Sequence, residues 1–143
     1  MTTVLTLGTF DVIHSGHVYL FAKCRELAGP EGRVIVAVNE DAFIQAFKGH
    51  KPVQTVADRL IMVRAIRYVD DTVINLGGGQ QPALINWLDP DYIVTGDDWA
   101  PPKDYLAQLG IDQDFLNARG IEVVYLPRLE GLSSTALKAQ IRA

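Results

Sequence analysis

Gly8-Thr9-Phe10-Asp11-Val12-Ile13-His14-Ser15-Gly16-His17 places two histidines three residues apart where a first strand gives way to a first helix. The strand reading rests on Val4 to Leu7, short and apolar, and the helix reading on Leu20, Cys24, Leu27 and Ala28 at helical spacing. A helix N-terminus carries unpaired backbone N–H groups and about half a positive charge. Imidazoles and glycines gathered there make a phosphate site. His14 and His17 fall close to one face of the first turn, and Gly16 leaves room for a ligand to approach the backbone. The expected ligand is a nucleotide. The same spacing occurs in zinc sites, but Cys24 is the only cysteine, it falls on the apolar helix face, and no Cys/His set completes a site.

Outward from this turn, strand-like runs alternate with helix-like runs, the mark of parallel strands joined by helical crossovers. Strands are expected at Val4 to Leu7, Arg33 to Val38, Val73 and Ile74, Tyr92 to Thr95, and Glu122 to Leu126. Helices are expected at Glu40 to Phe47, from Thr55 to near Tyr68, at Pro82 to Leu88, and at Ser134 to Ile141. Thr55 with Asp58 three residues on is a capping-box variant. Lys48 to Gln54 reads as a mobile loop. Ala100 to Gly120 carries two short helical patterns, Asp104 to Leu109 and Asp112 to Ala118. The fold class that follows is α/β: a three-layer α/β/α, Rossmann-like arrangement around a parallel five-stranded sheet.

Length and composition bound the setting. At 143 residues and 48% hydrophobic content, the chain makes one domain over 1–143 with one proper core. A net charge of -4 argues against a nucleic-acid partner. One cysteine gives no disulfide framework, no N-terminal signal pattern is present, and no apolar run approaches about 18 residues. These features predict a cytoplasmic protein with no membrane partner.

In such sheets ligands settle beyond the carboxyl ends of the strands. Four further stretches therefore carry weight: Asp58-Arg59-Leu60, Arg67-Tyr68-Val69-Asp70, Gly96-Asp97-Asp98-Trp99, and Leu126-Pro127-Arg128-Leu129-Glu130-Gly131-Leu132-Ser133-Ser134-Thr135. Singly each has an ordinary reading, as solvated helix charge, turn-forming aspartates or a helix cap. Their joint occurrence defeats those readings. G-T-F-D-x-x-H-x-G-H resembles the signature of the cytidylyltransferase-like nucleotidyltransferases, and with the later stretches the resemblance sharpens to the glycerol-3-phosphate cytidylyltransferase branch, over nearly the whole chain.

The resemblance implies transfer of CMP from CTP to a small phosphorylated acceptor, glycerol 3-phosphate above all, by a homodimer with Mg²⁺ or another divalent cation. It implies catalytic roles for His14, His17, Lys48 and Arg128, with Lys51 a weaker candidate. Nucleotide-binding roles fall to Gly8, Thr9, Phe10, Asp11, Gly16, Asp97, Arg128, Ser133, Ser134 and Thr135. Acceptor-binding roles fall to Lys48, Arg59, Arg67, Asp97 and Trp99, and Asp11 is the candidate metal ligand. An adenylyltransferase of flavin or pantetheine type is the alternative within the enzyme class, since the H-x-G-H signature serves several bases. A nucleotide-binding sensor is the alternative outside it. Leu129, Leu132 and Ser134 depart from the branch's closing pattern. Ala100 to Gly120 is roughly ten residues longer than in compact members, and is expected to wall the acceptor pocket, with Lys103 or Arg119 left to meet an anion. The absence of G-x-x-x-x-G-K-[ST] and G-x-G-x-x-G argues against a P-loop ATPase and a dinucleotide oxidoreductase.

Overall fold

The computed structural model describes residues 1–127 and 134–142, the side chains of 134–136 and 142 excepted. Five strands run in parallel: β1 (Thr3–Gly8), β2 (Arg33–Asn39), β3 (Asp71–Asn75), β4 (Tyr92–Gly96) and β5 (Glu122–Leu126). Their spatial order is β3-β2-β1-β4-β5. The chain steps outward from β1 to β3 and then crosses back to place β4 on the other side of β1. This reversal opens a crevice beyond the carboxyl ends of β1 and β4, where ligands bind in sheets of this kind.

Alternation along the strands divides the core in two. Val4, Val34, Val36, Val38 and Val94 face helices α1 (Ser15–Ala28) and α3 (Val56–Arg64), packing on Phe21, Cys24, Leu60 and Val63. Leu5, Ile35, Ala37 and Ile93 face the opposite way, onto Ile85 of α4 (Gln81–Leu88), Tyr105 and Leu109 of α5 (Tyr105–Leu109) and Leu116 of α6 (Gln113–Arg119). Both faces are covered, which is why the central strands read as continuous apolar runs. Helix α2 (Asp41–Lys48) follows β2, and α7 (Ser134–Arg142) closes the chain. No helix among the described residues is long and apolar enough to cross a membrane.

The expected elements are all present, with two shifts. Helix α3 stops at Arg64 rather than near Tyr68: Ile66 N–H bonds the carbonyl of Val63 and Val69 N–H that of Ile66, so three-residue turns replace the helix. Asp70 then stitches to β2, its N–H bonding Val34 O at 3.0 Å and its carboxylate accepting Val34 N–H at 2.7 Å. Lys48, expected in a loop, is the last residue of α2. Gly49 caps that helix at φ 80°, a left-handed position that suits glycine.

Candidate active site

Beyond the carboxyl ends of β1 and β4 lies a cleft of about 460 Å³. Its floor begins with Gly8. A Cβ there would come within 2.9 Å of the Phe10 ring, so only glycine lets that ring fold back over the strand end. Phe10 and Val12 hold φ of 52° and 53°, a left-handed conformation that costs non-glycine residues energy and clusters at functional sites. The surroundings impose it: Phe10 is buried against Phe21 and edge-on to His17, and Val12 N–H donates to Gln54 Oε1 at 3.0 Å.

His14 is the N-cap of α1. Its Nδ1 accepts the N–H of Gly16 at 3.0 Å, while Nδ1 of His17 accepts the N–H of His14 at 3.1 Å. Two backbone donors thus fix both tautomers, because a ring nitrogen that accepts cannot carry the proton of the neutral imidazole. Nε2–H is the group each ring has left for a ligand, and both rings line the cleft, 3.9 Å apart between centroids. Burial holds His14 below the usual imidazole range. Burial, with His14 alongside, pushes His17 down to about 4, against the upward pull of Asp11. Near neutral pH the free protein therefore presents two uncharged N–H donors rather than the positive charge that a phosphate site first suggests.

Asp11 is 2% exposed, and its carboxylate accepts Val53 N–H at 2.7 Å and Gln54 N–H at 2.9 Å. Lys138 of α7 joins them, its Nζ 2.5 Å from Asp11 Oδ2. Burial alone would raise the carboxyl, but the hydrogen bonds from Lys138, Gln54 and Val53 and the Lys138 charge outweigh it and hold it below the ordinary value. With two backbone donors and an ammonium on it, this carboxylate fits the anchoring of residues 53–54 better than ligation of a resident metal. No group of three or more His, Cys, Asp or Glu placed to hold a metal occurs among the described residues. The expected mobile loop is thus tethered at its far end by Asp11 and by the Gln54–Val12 bond.

Lys48 and Lys138 both line the cleft. Burial and the nearby Lys138 lower the Lys48 ammonium, with Asp11 and Asp98 pulling the other way. His50 lines the cleft as well, whereas Lys51 does not. Lys138 escaped the sequence reading, which stopped at the hydroxyl residues that open the closing helix and did not follow that helix to its next turn.

Two arginines assigned to the acceptor stand elsewhere. Arg59 is fully buried, with Nε on the carbonyl of Gln54 at 3.0 Å, Nη1 on those of Thr9 and Asn39 at 2.7 Å each, and Nη2 on Asp41 Oδ1 at 2.6 Å. Its guanidinium is a clamp holding three chain segments under the cleft, and the reason is saturation: the fork already meets four acceptors. Arg67 is exposed over the Tyr68 ring, before the amino end of β3 and so at the opposite end of the sheet from the cleft. After β4, Asp98 and Trp99 line the cleft and Asp97 does not. The single turn Asp97–Trp99 carries Asp98 back over Gly96, a Cβ on which would lie 2.6 Å from Asp98 Oδ1. Arg128 and Ser133 lie outside the described residues; Ser134 and Thr135 open α7, and their side chains are likewise outside.

From the long segment, Tyr105, Gln108 and Leu109 line the cleft, while Phe115 and Leu116 pack in the core below. Lys103 sits over the Trp99 ring. Arg119 is turned away from the cleft, its Nε on Asn86 Oδ1 at 2.9 Å and its guanidinium 3.6 Å from the Phe115 centroid.

The family model described as cytidylyltransferase-like matches residues 5–140. Glycerol-3-phosphate cytidylyltransferase of Staphylococcus aureus is 34% identical over 99% of this chain and 96% of its own length. FAD synthase of Pyrococcus horikoshii is 42% identical over 88% of this chain and 80% of its own. The solved structure of a lipopolysaccharide core biosynthesis protein from Thermoplasma volcanium superposes with a TM-score of 0.71 at 24% identity, covering 91% of this chain and 99% of that one, a likeness of fold.

Proposed function

The chain belongs to the cytidylyltransferase-like family and is a nucleotidyltransferase, and from that premise we propose that it transfers CMP from CTP to glycerol 3-phosphate, giving CDP-glycerol and pyrophosphate. A phosphate oxygen of the acceptor attacks the α-phosphorus of CTP; the new P–O bond forms as the bond to the β-phosphate breaks and pyrophosphate departs in line. A phosphomonoester has its second pKa near about 6, so the attacking group is already largely dianionic at neutral pH and no strong general base is required. Catalysis then consists of holding the reactants and stabilising charge that grows on the transferring phosphoryl group.

One observation carries this reading: two imidazoles locked as Nε2–H donors at the N-terminus of α1, facing a cleft that Lys48 and Lys138 also line. Donors fixed beforehand need no reorganisation when charge develops. Arg128, Ser133, Ser134 and Thr135 are proposed to close over the triphosphate. Mg²⁺ would be held by the triphosphate and water more than by side chains of this cleft, and would supply further positive charge to the phosphates.

The identity to the Pyrococcus horikoshii FAD synthase favours a second reading, adenylyl transfer from ATP to a flavin phosphate. Pyrophosphate release measured across the four ribonucleoside triphosphates with glycerol 3-phosphate and flavin mononucleotide decides between them. The first reading expects turnover with CTP and glycerol 3-phosphate, and preference for ATP with flavin mononucleotide would replace it by the second. Release with no pair would overturn both readings and leave a nucleotidyltransferase with another phosphorylated acceptor. We further propose a homodimer, to be checked by sedimentation equilibrium at micromolar concentration.

A further inference from the structure

Asn39 ends β2 at the edge of the cleft, and a run of amides behind it fixes which way its own amide points. Gly77 N–H donates to Asn75 Oδ1 at 3.0 Å, so Asn75 Nδ2 is the donor to Asn39 Oδ1 and to Gln81 Oε1, both at 3.0 Å. Gln81 Nε2 in turn donates to the carbonyl of Gln108 at 2.9 Å. A backbone donor stands at one end of this run and a backbone acceptor at the other. Their identities do not depend on how any amide is oriented, so the run has only one sense. Asn39 therefore keeps Oδ1 inward and has Nδ2 left over, a donor with no partner among the described residues on a residue that lines the cleft.

A second polar group waits on the same wall. Tyr105 is 4% exposed, and its hydroxyl is buried without a hydrogen-bond partner among the described residues; Thr95 is beside it, but no well-formed bond joins the two. Buried polar groups in native proteins nearly always have partners, and one that lacks a partner while lining a cleft is poised for a ligand. The Gln81–Gln108 bond ties α5, which bears Tyr105, to the Asn75–Asn39 side of the cleft. Asn39, Gln81, Thr95, Tyr105 and Gln108 are all uncharged. This wall reaches from Asn39 at the end of β2 across to Thr95 at the end of β4, and it suits the uncharged part of a substrate.

We propose that Asn39 Nδ2 and the Tyr105 hydroxyl bind the hydroxyl-bearing tail of the acceptor, so that the enzyme selects a polyol monophosphate over an alkyl monophosphate. The inference rests on the cytidylyl-transfer reading and adds to it the feature of the acceptor that is recognised. A single uncharged hydrogen bond is worth on the order of fivefold in binding, and loss of a donor to a substrate hydroxyl falls on the acceptor alone.

The test is pyrophosphate release from CTP with glycerol 3-phosphate or n-propyl phosphate as acceptor, in the parent chain, Tyr105→Phe and Asn39→Asp. Tyr105→Phe removes only the hydroxyl, keeping the ring against Trp99 and Tyr125, and melts at or above the parent temperature. Asn39→Asp still accepts from Asn75 and turns a cleft donor into an acceptor. The parent should prefer glycerol 3-phosphate by about tenfold or more in kcat/KM. Tyr105→Phe should cut that preference roughly fivefold through KM for glycerol 3-phosphate, with KM for CTP within twofold, and Asn39→Asp should cut it further. A preference left intact in both folded variants overturns the inference, and so does a rise in KM for CTP in place of KM for the acceptor. A parent enzyme that uses n-propyl phosphate equally well overturns it while leaving cytidylyl transfer standing. No release from CTP with either acceptor overturns both.

Discussion

Replacing Arg59 with methionine separates two accounts of that residue, one in which it meets the acceptor's phosphate and one in which it holds the floor of the cleft together. The side chain is fully buried and its guanidinium meets four acceptors: the carbonyls of Thr9, Asn39 and Gln54 and the carboxylate of Asp41. Methionine keeps much of the stem's volume and removes every donor. Breaking a buried ion pair by deleting one partner costs about 3–5 kcal/mol. Asp41 is 29% exposed and can recover some hydration, which argues for the lower end of that range. At about 2–4 °C per kcal/mol for a chain of this size, Tm should fall on the order of 10 °C. Arg59→Lys keeps one charge but not the fork, and should fall between the parent and methionine. Thermal and urea unfolding measure the loss, and the urea midpoint should move with little change in slope. A methionine variant that melts within about 2 °C of the parent, while KM for the acceptor rises more than tenfold, would return Arg59 to the substrate and refute the clamp.

Three further outcomes follow from the same geometry. His17 titrates near 4 in the folded protein against 6.5 for the ordinary group, so between those values the unfolded chain takes up a proton that the folded one refuses; stability should fall by up to about 3 kcal/mol as pH drops from 6.5 to 4 and be unaffected by this group above 6.5. Urea midpoints at pH 7 and pH 5 check this, and His17→Gln should flatten the difference. His14→Asn keeps an N-cap acceptor for α1 and His17→Gln an acceptor for the His14 N–H, so both should fold yet lose kcat on the order of 100-fold; near-parental turnover in either would remove that residue from the catalytic set. Lys138→Met should raise KM for CTP by on the order of tenfold, and because it leaves the buried Asp11 carboxylate on the Val53 and Gln54 N–H groups alone, Tm should fall as well. An unchanged KM for CTP would leave Lys138 a tether for α7 and nothing more.

Much of this molecule was legible in its sequence, and the illegible part is of one physical kind. Strand positions, helix starts and the strand-to-helix turn at His14 follow from local periodicity and capping, which are properties of short windows. The end of α3 did not: Asp70 draws the chain to β2 through Val34, a partner 36 residues away. Arg59 read as a solvated or phosphate-binding charge because most arginines are exposed. Only the fold brings Thr9, Asn39, Gln54 and Asp41 to its fork. Asp98 rather than Asp97 lines the cleft because of the rotation of a single turn, which the pattern G-D-D-W does not encode. Lys138 lay in plain view on a closing helix, but its significance depends on Asp11, 127 positions earlier by number, being within reach. The Asn75–Gln81–Gln108 run was invisible for the same reason, since amides carry no charge or periodicity to mark them.

Neutral imidazoles and mobile ammoniums divide the work of this cleft in a way that the charge count alone obscures. Two imidazolium rings with centroids 3.9 Å apart, half-buried and with the nearby Asp11 carboxylate already paired to Lys138, would repel each other; kept neutral, they remain donors with fixed directions and little desolvation penalty. Positive charge comes instead from Lys48 and Lys138, at the end of one helix and on the face of another, where long stems can adjust to a polyanion. The Asp11 contact holds Lys138 at the cleft through one of its three N–H donors, and no other partner of that ammonium occurs among the described residues. A polyanion entering the site meets an Nε2–H from each ring, because a proton at Nδ1 would face the backbone N–H that each ring already accepts. On the proposed cytidylyl-transfer reading, that division would set the fixed donors at the transferring phosphoryl group and the adaptable cations at the leaving pyrophosphate.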